Sequence, residues 1–271
     1  MLVESLIVLA LGGAAASARW NWWRPVVGGG MPTLMYHKIG DPPAGSDLKK
    51  LWVSAGKFRA QLAYLRRKGY TPITFSDWRD AELGVRRLPE KPVLITFDDG
   101  YMNNYELAFP ILREFGMKAN VFLVYETLEA HNAWHNPAGE PWLKMLTWAQ
   151  IKEMQDSGLV EFGSHTMRHR NLAQTPLDEV RWELTESKKR LEDKLGREMV
   201  GFAYPYGAGA YKPEVRRAAL EAGYRFDFSI KQGITRLPWN REAEAVKRLL
   251  IRGEETLVDF HLNMTRGRCR L

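Results

Sequence analysis

Short apolar runs alternate with amphipathic segments along the chain from residue 33 onward. The stretch Pro92–Phe97 is almost entirely apolar, which is typical of a strand buried on both faces. Similar runs predict strands at 33–36, 70–75, 119–124, 159–162, 200–204 and 224–230. Apolar residues at helical spacing predict intervening helices, among them 104–115, 175–195 and 213–222. About seven β-then-α units in sequence predict a parallel sheet flanked by helices, either open or closed into a barrel.

The alternation predicts a single α/β domain over residues 33–265, followed by a basic tail at 266–271. Three consecutive glycines lie within residues 19–32, which we interpret as a linker. Residues 1–18 include an uncharged apolar stretch that is shorter than the roughly 20 residues of an ordinary membrane span. We therefore predict that residues 1–18 are a signal peptide or a short membrane anchor.

The residues around this apolar stretch support both interpretations. Residues 16–18, Ala-Ser-Ala, resemble a signal-peptidase site, whereas Glu4 and the lack of a basic start argue against a signal peptide. Trp20, Trp22 and Trp23 lie next to arginines and would suit contact with a membrane surface. We therefore expect a cell-envelope location, whether periplasmic, secreted or membrane-anchored, rather than the cytoplasm. A buried N-terminal helix of a cytosolic protein is the alternative.

Composition narrows the classes of partner. The chain has 271 residues, of which 45% are hydrophobic and 26% are charged, as in globular proteins. Its net charge of +7 suits an anionic polymer or a membrane surface. The basic residues are scattered rather than gathered in one block, so nucleic acid is not a predicted partner. Cys269 is the single cysteine, which excludes a disulfide within the chain and a cysteine-based zinc site.

Two adjacent acids, Asp98 and Asp99, follow the strongest predicted strand. Asp-Gly is a common turn signal, so one interpretation is a simple turn with Gly100. Acids are nevertheless rare at the edge of a buried strand unless they are paired or bind a metal. In a metal site, one carboxylate can bind the cation while its neighbour accepts a proton from water.

His165 and His169 follow another predicted strand, and their spacing of four residues can place both rings on one side of a turn. Two imidazoles and a carboxylate suit zinc, with cobalt and nickel as alternatives. Three protein ligands leave positions for water and substrate, as a catalytic site requires. Loops that follow the strands of a parallel barrel share one end, so these residues are expected to form a metal-dependent hydrolase site there.

Residues 96–100, Thr-Phe-Asp-Asp-Gly, and 165–169, His-Thr-Met-Arg-His, together resemble the signature of the polysaccharide deacetylase family. This family is also known as the NodB-homology domain or carbohydrate esterase family 4. Residues 202–207, which contain Pro-Tyr-Gly, look like a third family segment. The resemblance implies a distorted (β/α) barrel and a reaction that removes an N-acetyl group from an amino sugar.

The resemblance also implies a role for each matching residue. Asp98 would be the catalytic base, and Asp99, His165 and His169 would hold the metal. The backbone N–H of Tyr206 would help to form the oxyanion hole, which needs a donor where negative charge develops.

The stretch 126–144 has no clear periodicity and is predicted to be a loop over the same face. Trp134 within this loop, together with Tyr101 and Tyr206, is a candidate substrate contact. Aromatic rings in a site of this kind can stack on the apolar faces of sugars.

Two positions differ from the family pattern. Ala203 stands where an arginine usually orients the base, and Arg252 or Lys231 is a candidate replacement. The family's late Leu-x-His, which supplies the general acid, has no clear match, because His261 lies in a predicted amphipathic terminal helix. We prefer His37 as the acid, since its Met-Tyr-His segment resembles the subgroup that deacetylates poly-β-1,6-N-acetylglucosamine. A packed or capping histidine is the alternative interpretation of His37.

The predicted protein is thus a bacterial envelope N-deacetylase that acts on an N-acetylated amino-sugar glycan of the poly-N-acetylglucosamine type. A deacetylase or deformylase of a lipid-linked amino sugar is the first alternative. An inactive glycan-binding module is the second.

Overall fold

Eight parallel strands form the main sheet of the computed structural model, which describes Ser5 and residues 22–269. They are β1 (Thr33–Tyr36), β2 (Thr71–Ile73), β3 (Pro92–Phe97), β4 (Ala119–Leu123), β5 (Val160–Ser164), β6 (Gly201–Ala203), β7 (Phe226–Gln232) and β8 (Val246–Leu250). The ring runs in the order β1, β8, β7, β6, β5, β4 and β3, and it closes through a β3–β1 pairing. Strand β2 extends the sheet by pairing with β3. The prediction of a distorted barrel of about seven parallel strands is confirmed, and the open-sheet alternative is wrong.

Seven α-helices accompany the strands in the described part of the chain. They are α1 (Ala55–Arg67), α2 (Phe75–Glu82), α3 (Phe109–Phe115), α4 (Trp148–Asp156), α5 (Leu177–Leu195), α6 (Pro213–Glu221) and α7 (Leu257–Arg266). A π-helical turn, Asn104–Ala108, leads into α3, and 3₁₀ turns occupy Lys49–Leu51, Tyr125–Thr127 and Pro205–Gly207. Two short strand pairs lie outside the barrel: Gly30–Met31 with Thr235–Arg236, and Lys38–Ile39 with Trp52–Val53.

Helix α2 begins at a side-chain cap, Thr74, although Ser76 is also a residue type that can cap a helix. Thr74 is the N-cap, because its side chain accepts the backbone N–H of Asp77 while the Asp77 carboxylate accepts the backbone N–H of Thr74. This reciprocal capping box satisfies two backbone donors that Ser76, already inside the helix, could not.

Alternate side chains of the barrel strands face two separate cores. Inward-facing Leu94, Phe122 and Phe228 pack with Phe75 and Trp78 of α2. Gly201 lies against this cluster at the beginning of β6, where an added Cβ would approach the Phe75 ring to 2.9 Å. The amino-terminal end of the barrel is therefore filled with aromatic side chains, which leaves the carboxyl-terminal end for a functional site.

The second core lies between the barrel and its helices. Outward-facing Ile95, Val121, Phe162 and Phe202 pack with apolar residues of α1, α3, α4, α5 and α6. Strands covered on both faces in this way are expected to be nearly continuous apolar runs, which is the pattern that identified Pro92–Phe97.

The N-terminal predictions fall largely outside the described residues. Of the predicted signal peptide or anchor at 1–18, only Ser5 is described, and of the predicted linker at 19–32, residues 22–32 are described. Within that segment, Gly30–Met31 already forms a strand, and Met31 is buried. None of the helices in the described ranges is long and apolar enough to cross a membrane.

Candidate active site

The candidate residues gather at the carboxyl-terminal end of the barrel. His37 follows β1, Asp98 and Asp99 follow β3, and His165 follows β5. Tyr206 lies in the 3₁₀ turn after β6. Residues far apart in sequence are therefore brought to one rim by the parallel arrangement of the strands.

Asp99, His165 and His169 form one buried cluster. Asp99 Oδ1 lies 3.4 Å from His165 Nε2 and 3.2 Å from His169 Nε2, and the three ligand atoms lie within 4.8 Å of one another. His165 Nδ1 donates to the carbonyl oxygen of Ala203 at 2.7 Å, which orients Nε2 toward Asp99. Two imidazole nitrogens and one carboxylate oxygen, converging in this way, fit a divalent ion.

The backbone around this cluster adopts a left-handed conformation at several non-glycine residues. The φ angles are 75° at Asp99, 71° at Thr166, 58° at His169 and 58° at Tyr206. Left-handed conformations are costly for residues with a Cβ atom and are often found at functional sites, where surrounding contacts enforce them. The loops that carry the cluster are thus held in conformations that they would rarely adopt alone.

Glu183 of α5 holds the loop that carries the two histidines. Its buried carboxylate accepts the backbone N–H groups of Met167 at 2.8 Å and Arg168 at 3.0 Å. Within the same loop, the Thr166 hydroxyl oxygen accepts the backbone N–H of His169 at 3.0 Å. The backbone donors between the two histidines are thereby satisfied, and the position of His169 relative to His165 is fixed. Pattern reasoning missed Glu183, because an acid within a charged helix gives no sequence signal of a buried role.

Asp98 is paired with Arg248 rather than with the histidine cluster. Arg248 donates to both carboxylate oxygens of Asp98, at 2.6 and 2.9 Å, and its Nε donates to the Ser229 carbonyl at 2.9 Å. Burial alone would raise the pKa of Asp98, but the positive charge of Arg248 and the nearby His165 and His37 outweigh it, so the pKa is lowered. Asp98 is therefore held as a charged carboxylate.

Neither of the two expected candidates, Arg252 and Lys231, orients Asp98. Lys231 instead pairs with Glu244 at 3.2 Å, and Arg252 lines a neighbouring cavity. Arg248 lies within β8 two residues after the inward-facing Val246, so both side chains are on the same face of the strand and Arg248 points into the barrel. Recognition of 246–250 as a barrel strand would have identified it.

His37 lies beside Asp98, with 3.9 Å between His37 Nε2 and Asp98 Oδ2. Burial lowers the pKa of His37, and the charges of Asp98 and Asp99 oppose this effect only in part. Its Nδ1 is buried without a hydrogen-bond partner among the described residues. His261 of α7 instead shares a hydrogen bond of 2.7 Å with the Tyr64 hydroxyl of α1.

Two of the three candidate aromatic contacts surround His169. The Trp134 ring stacks on it at 4.4 Å between ring centres, and the Tyr206 ring meets it edge-on at 4.6 Å. Tyr206 is 51% exposed, so its ring is available to a ligand. Tyr101 is only 1% exposed, and burial together with the charge of Asp99 raises its pKa well above its ordinary value.

The loop that carries Trp134 is anchored by a buried ion pair. Lys38 Nζ donates to Glu140 Oε1 at 2.8 Å, and the Ser46 hydroxyl donates to Glu140 Oε2 at 2.7 Å. Lys38 directly follows His37, so the segment after β1 both carries a candidate catalytic residue and anchors the 126–144 loop over the rim.

We expect Glu183→Ala to weaken binding of Zn²⁺ about 10- to 100-fold, because loss of the carboxylate releases the loop between the histidines. Glu183→Gln keeps an acceptor oxygen and should lose less. Competition with a chromophoric zinc chelator measures the affinity, and circular dichroism checks folding. Asp193→Ala, an exposed substitution on the same helix, is the matched control. Wild-type zinc affinity in a folded Glu183→Ala protein would contradict this role.

Comparison with known proteins places this geometry in a family. The polysaccharide deacetylase family model matches residues 86–226, slightly more than half of the chain. YxkH of Bacillus subtilis (strain 168) is 32% identical over 203 residues, which cover 75% of this chain and 65% of that protein. A poly-beta-1,6-N-acetyl-D-glucosamine N-deacetylase of Escherichia coli (strain K12) is 26% identical over 273 residues, covering 85% of this chain and 38% of that protein.

A solved structure extends the likeness to the whole barrel. The crystal structure of a polysaccharide deacetylase from Bacillus cereus has a TM-score of 0.72 and 29% identity to this chain, covering 87% of this chain and 69% of that one. The chain spans less than two thirds of the length of both curated relatives. On the family match and the shared barrel together, the chain belongs to the polysaccharide deacetylase family.

Proposed function

We propose that the protein is a metal-dependent hydrolase that removes N-acetyl groups from amino-sugar residues of a cell-envelope or extracellular glycan. One observation carries the proposal. A charged carboxylate, Asp98, is held by Arg248 beside the Asp99, His165 and His169 cluster without being part of it. A site with a metal-binding set and a separate base suits hydrolysis better than structural metal binding.

Asp99, His165 and His169 would hold the ion, for which we propose zinc, with cobalt or nickel as alternatives. A bound divalent ion supplies Lewis acidity, which polarises a carbonyl group and lowers the pKa of water. The chain's own residues provide the proton transfers and the orientation of the substrate.

In the proposed reaction Asp98 accepts a proton from the attacking water, and Arg248 keeps both Asp98 oxygens in place. The backbone N–H of Tyr206 donates to the carbonyl oxygen as negative charge develops on it. His37, whose Nε2 lies 3.9 Å from Asp98 Oδ2, acts in its protonated form and donates that proton to the leaving nitrogen, and the proton taken up by Asp98 restores it. Acetate and the protonated amine are the products, so both protons of the water end on the nitrogen.

The poly-N-acetylglucosamine type of substrate is supported by the similarity to the Escherichia coli N-deacetylase. Trp134 and Tyr206 are proposed to stack on sugar rings, and Tyr101 is retained as a candidate contact despite its burial. The proposed location in the cell envelope rests on the signal peptide or short membrane anchor that the sequence predicts at residues 1–18.

A lipid-linked amino sugar is the second candidate substrate. It is favoured by Trp22 and Trp23, which are 52% and 54% exposed, and by Arg24, which lies 5.8 Å from the Trp23 ring centre. Aromatic and basic residues of this kind suit contact with a membrane surface. Acetate release from soluble oligosaccharides, compared with lipid-linked sugars, separates the two candidates.

Acetate release from N-acetylated glycans, measured with and without a chelator, tests the proposal. We expect Asp98→Asn to lower turnover by about 10²- to 10⁴-fold while zinc stays bound, because only the base is lost. We expect His165→Ala to lose both turnover and zinc. Equal turnover of wild type and Asp98→Asn would overturn the role of Asp98. Glycan binding by the zinc-loaded wild type without any acetate release would instead favour an inactive binding module.

Arg248→Lys tests whether the arginine orients the base. Lysine keeps the charge but cannot hold both oxygens of Asp98 in one plane, so we expect turnover to fall about 10- to 100-fold with zinc retained. Arg216→Lys is the matched control, because Arg216 makes a similar two-point contact with buried Asp227. Equal losses in the two variants would show that the effect of Arg248→Lys is general destabilisation.

His37→Ala is expected to lower turnover more than His261→Ala, since only His37 lies beside Asp98. Zinc content and thermal unfolding of both variants are measured alongside acetate release. The reverse ranking, with both proteins folded and zinc-loaded, would refute His37 as the proton donor.

A further inference from the structure

A cavity of about 550 Å³ adjoins His37 at the carboxyl-terminal end of the barrel. Its apolar wall comes from the last residues of barrel strands and includes Met35, Ile230 and Leu250. Its volume falls within the roughly 300–1,000 Å³ typical of small-ligand sites. The cavity is therefore large enough to take part of a substrate that reaches beyond the reacting group.

Two arginines give this cavity a positive charge. Arg252 and Arg268 both line it, and neither forms an ion pair with an acidic side chain of residues 22–269. Among residues 22–269, Glu255 is the one acid that lines the cavity. It is 3% exposed, and Glu255 Oε2 accepts hydrogen bonds from the Arg252 backbone N–H and the Asn263 side chain. Arg252 lies within electrostatic reach of Glu255, but no hydrogen bond or ion pair in the described part of the chain occupies the guanidinium of Arg252 or Arg268, so both can contact a ligand.

His37 connects the cavity to the catalytic centre. It lines the cavity and also lies 3.9 Å from Asp98. Trp134 and Tyr206 pack on His169 and do not line this cavity. A glycan whose N-acetyl group lies at Asp98 can therefore place its neighbouring part past His37, in contact with the arginines.

We propose that this cavity is a substrate subsite that binds an oxyanion, a phosphate ester or a carboxylate, on the glycan next to the reacting N-acetyl group. Arg252 and Arg268 are its ligands, because planar guanidinium groups suit both oxyanions. The inference rests on the proposed function and specifies its substrate: an amino-sugar glycan with an anionic substituent. The net charge of +7 agrees with such a substrate.

The test compares acetate release from a neutral β-1,6-linked N-acetylglucosamine trimer with release from trimers that carry one phosphate ester or one carboxylate. Each anionic group is placed at either end of the trimer. The comparison then distinguishes a phosphate ester from a carboxylate and one end from the other. We expect the wild type to show a KM at least about tenfold lower for one of the anionic trimers. We expect Arg252→Gln and Arg268→Gln each to reduce that ratio, and added salt to weaken it.

Arg87→Gln is the matched control. It removes the same charge from an exposed loop before β3, at the opposite end of the barrel, and should leave the ratio unchanged. Acetate release with equal KM values for neutral and anionic trimers would overturn the subsite and leave the proposed function intact.

A second measurement does not depend on turnover. Calorimetry with zinc-loaded Asp98→Asn protein compares binding of the neutral trimer and the anionic trimers. Tighter binding of an anionic trimer, lost on addition of Arg252→Gln, supports the subsite even if no trimer is hydrolysed. Equal binding of all trimers refutes it, whereas failure to release acetate from any glycan refutes the proposed function.

Discussion

The buried ion pair between Asp98 and Arg248 is the interaction on which the rest of the site depends. Both side chains are almost fully buried, and removal of one partner from such a pair typically costs about 3–5 kcal/mol, because the other charge remains unpaired. The pair joins β3 to β8 through the barrel interior, next to the β3–β1 pairing that closes the ring. It also keeps Asp98 charged and apart from the histidine cluster. The same contact thus links two strands of the closed barrel and keeps the Asp98 carboxylate away from the histidines that Asp99 contacts.

Asp98 and Asp99 are adjacent in sequence but have different surroundings. Asp98 continues from β3 and contacts an arginine, whereas Asp99 adopts a left-handed backbone and turns toward His165 and His169. The pKa of Asp99 lies well below its ordinary value, because hydrogen bonds with the two histidines outweigh the effect of burial. The left-handed backbone at Asp99 therefore allows two adjacent carboxylates to face different partners, an arginine for Asp98 and two histidines for Asp99. Gly100 permits the turn that follows.

Local sequence patterns predicted most of the barrel, because strands covered on both faces must be apolar and several of the helices begin at a side-chain cap. Thr147 and Gln150 illustrate this, since a threonine followed three residues later by a glutamine is a local pattern and forms the capping box that begins α4. Strand β8 was missed because Lys247 and Arg248 interrupt its apolar pattern. Arg248 becomes acceptable there only once Asp98, 150 residues away, supplies the opposite charge. Glu183 depends in the same way on distant backbone N–H groups, so local reasoning finds ligands more readily than the residues that hold them.

The segment after β1 contacts both the arginine-lined cavity and the loop that carries Trp134. His37 faces Asp98 and the arginine-lined cavity, while the next residue, Lys38, binds Glu140 and thereby anchors the loop that places Trp134 on His169. A buried ion pair of this kind is a weak source of stability but a strong constraint on position, because each charge needs its partner. The aromatic side of the site is consequently tied to the same strand end that supplies the candidate proton donor. A substrate would be held between an aromatic wall and a cationic cavity, with His37 at the boundary, so the chemistry of the substituent beyond the reacting amide becomes part of what the site recognises.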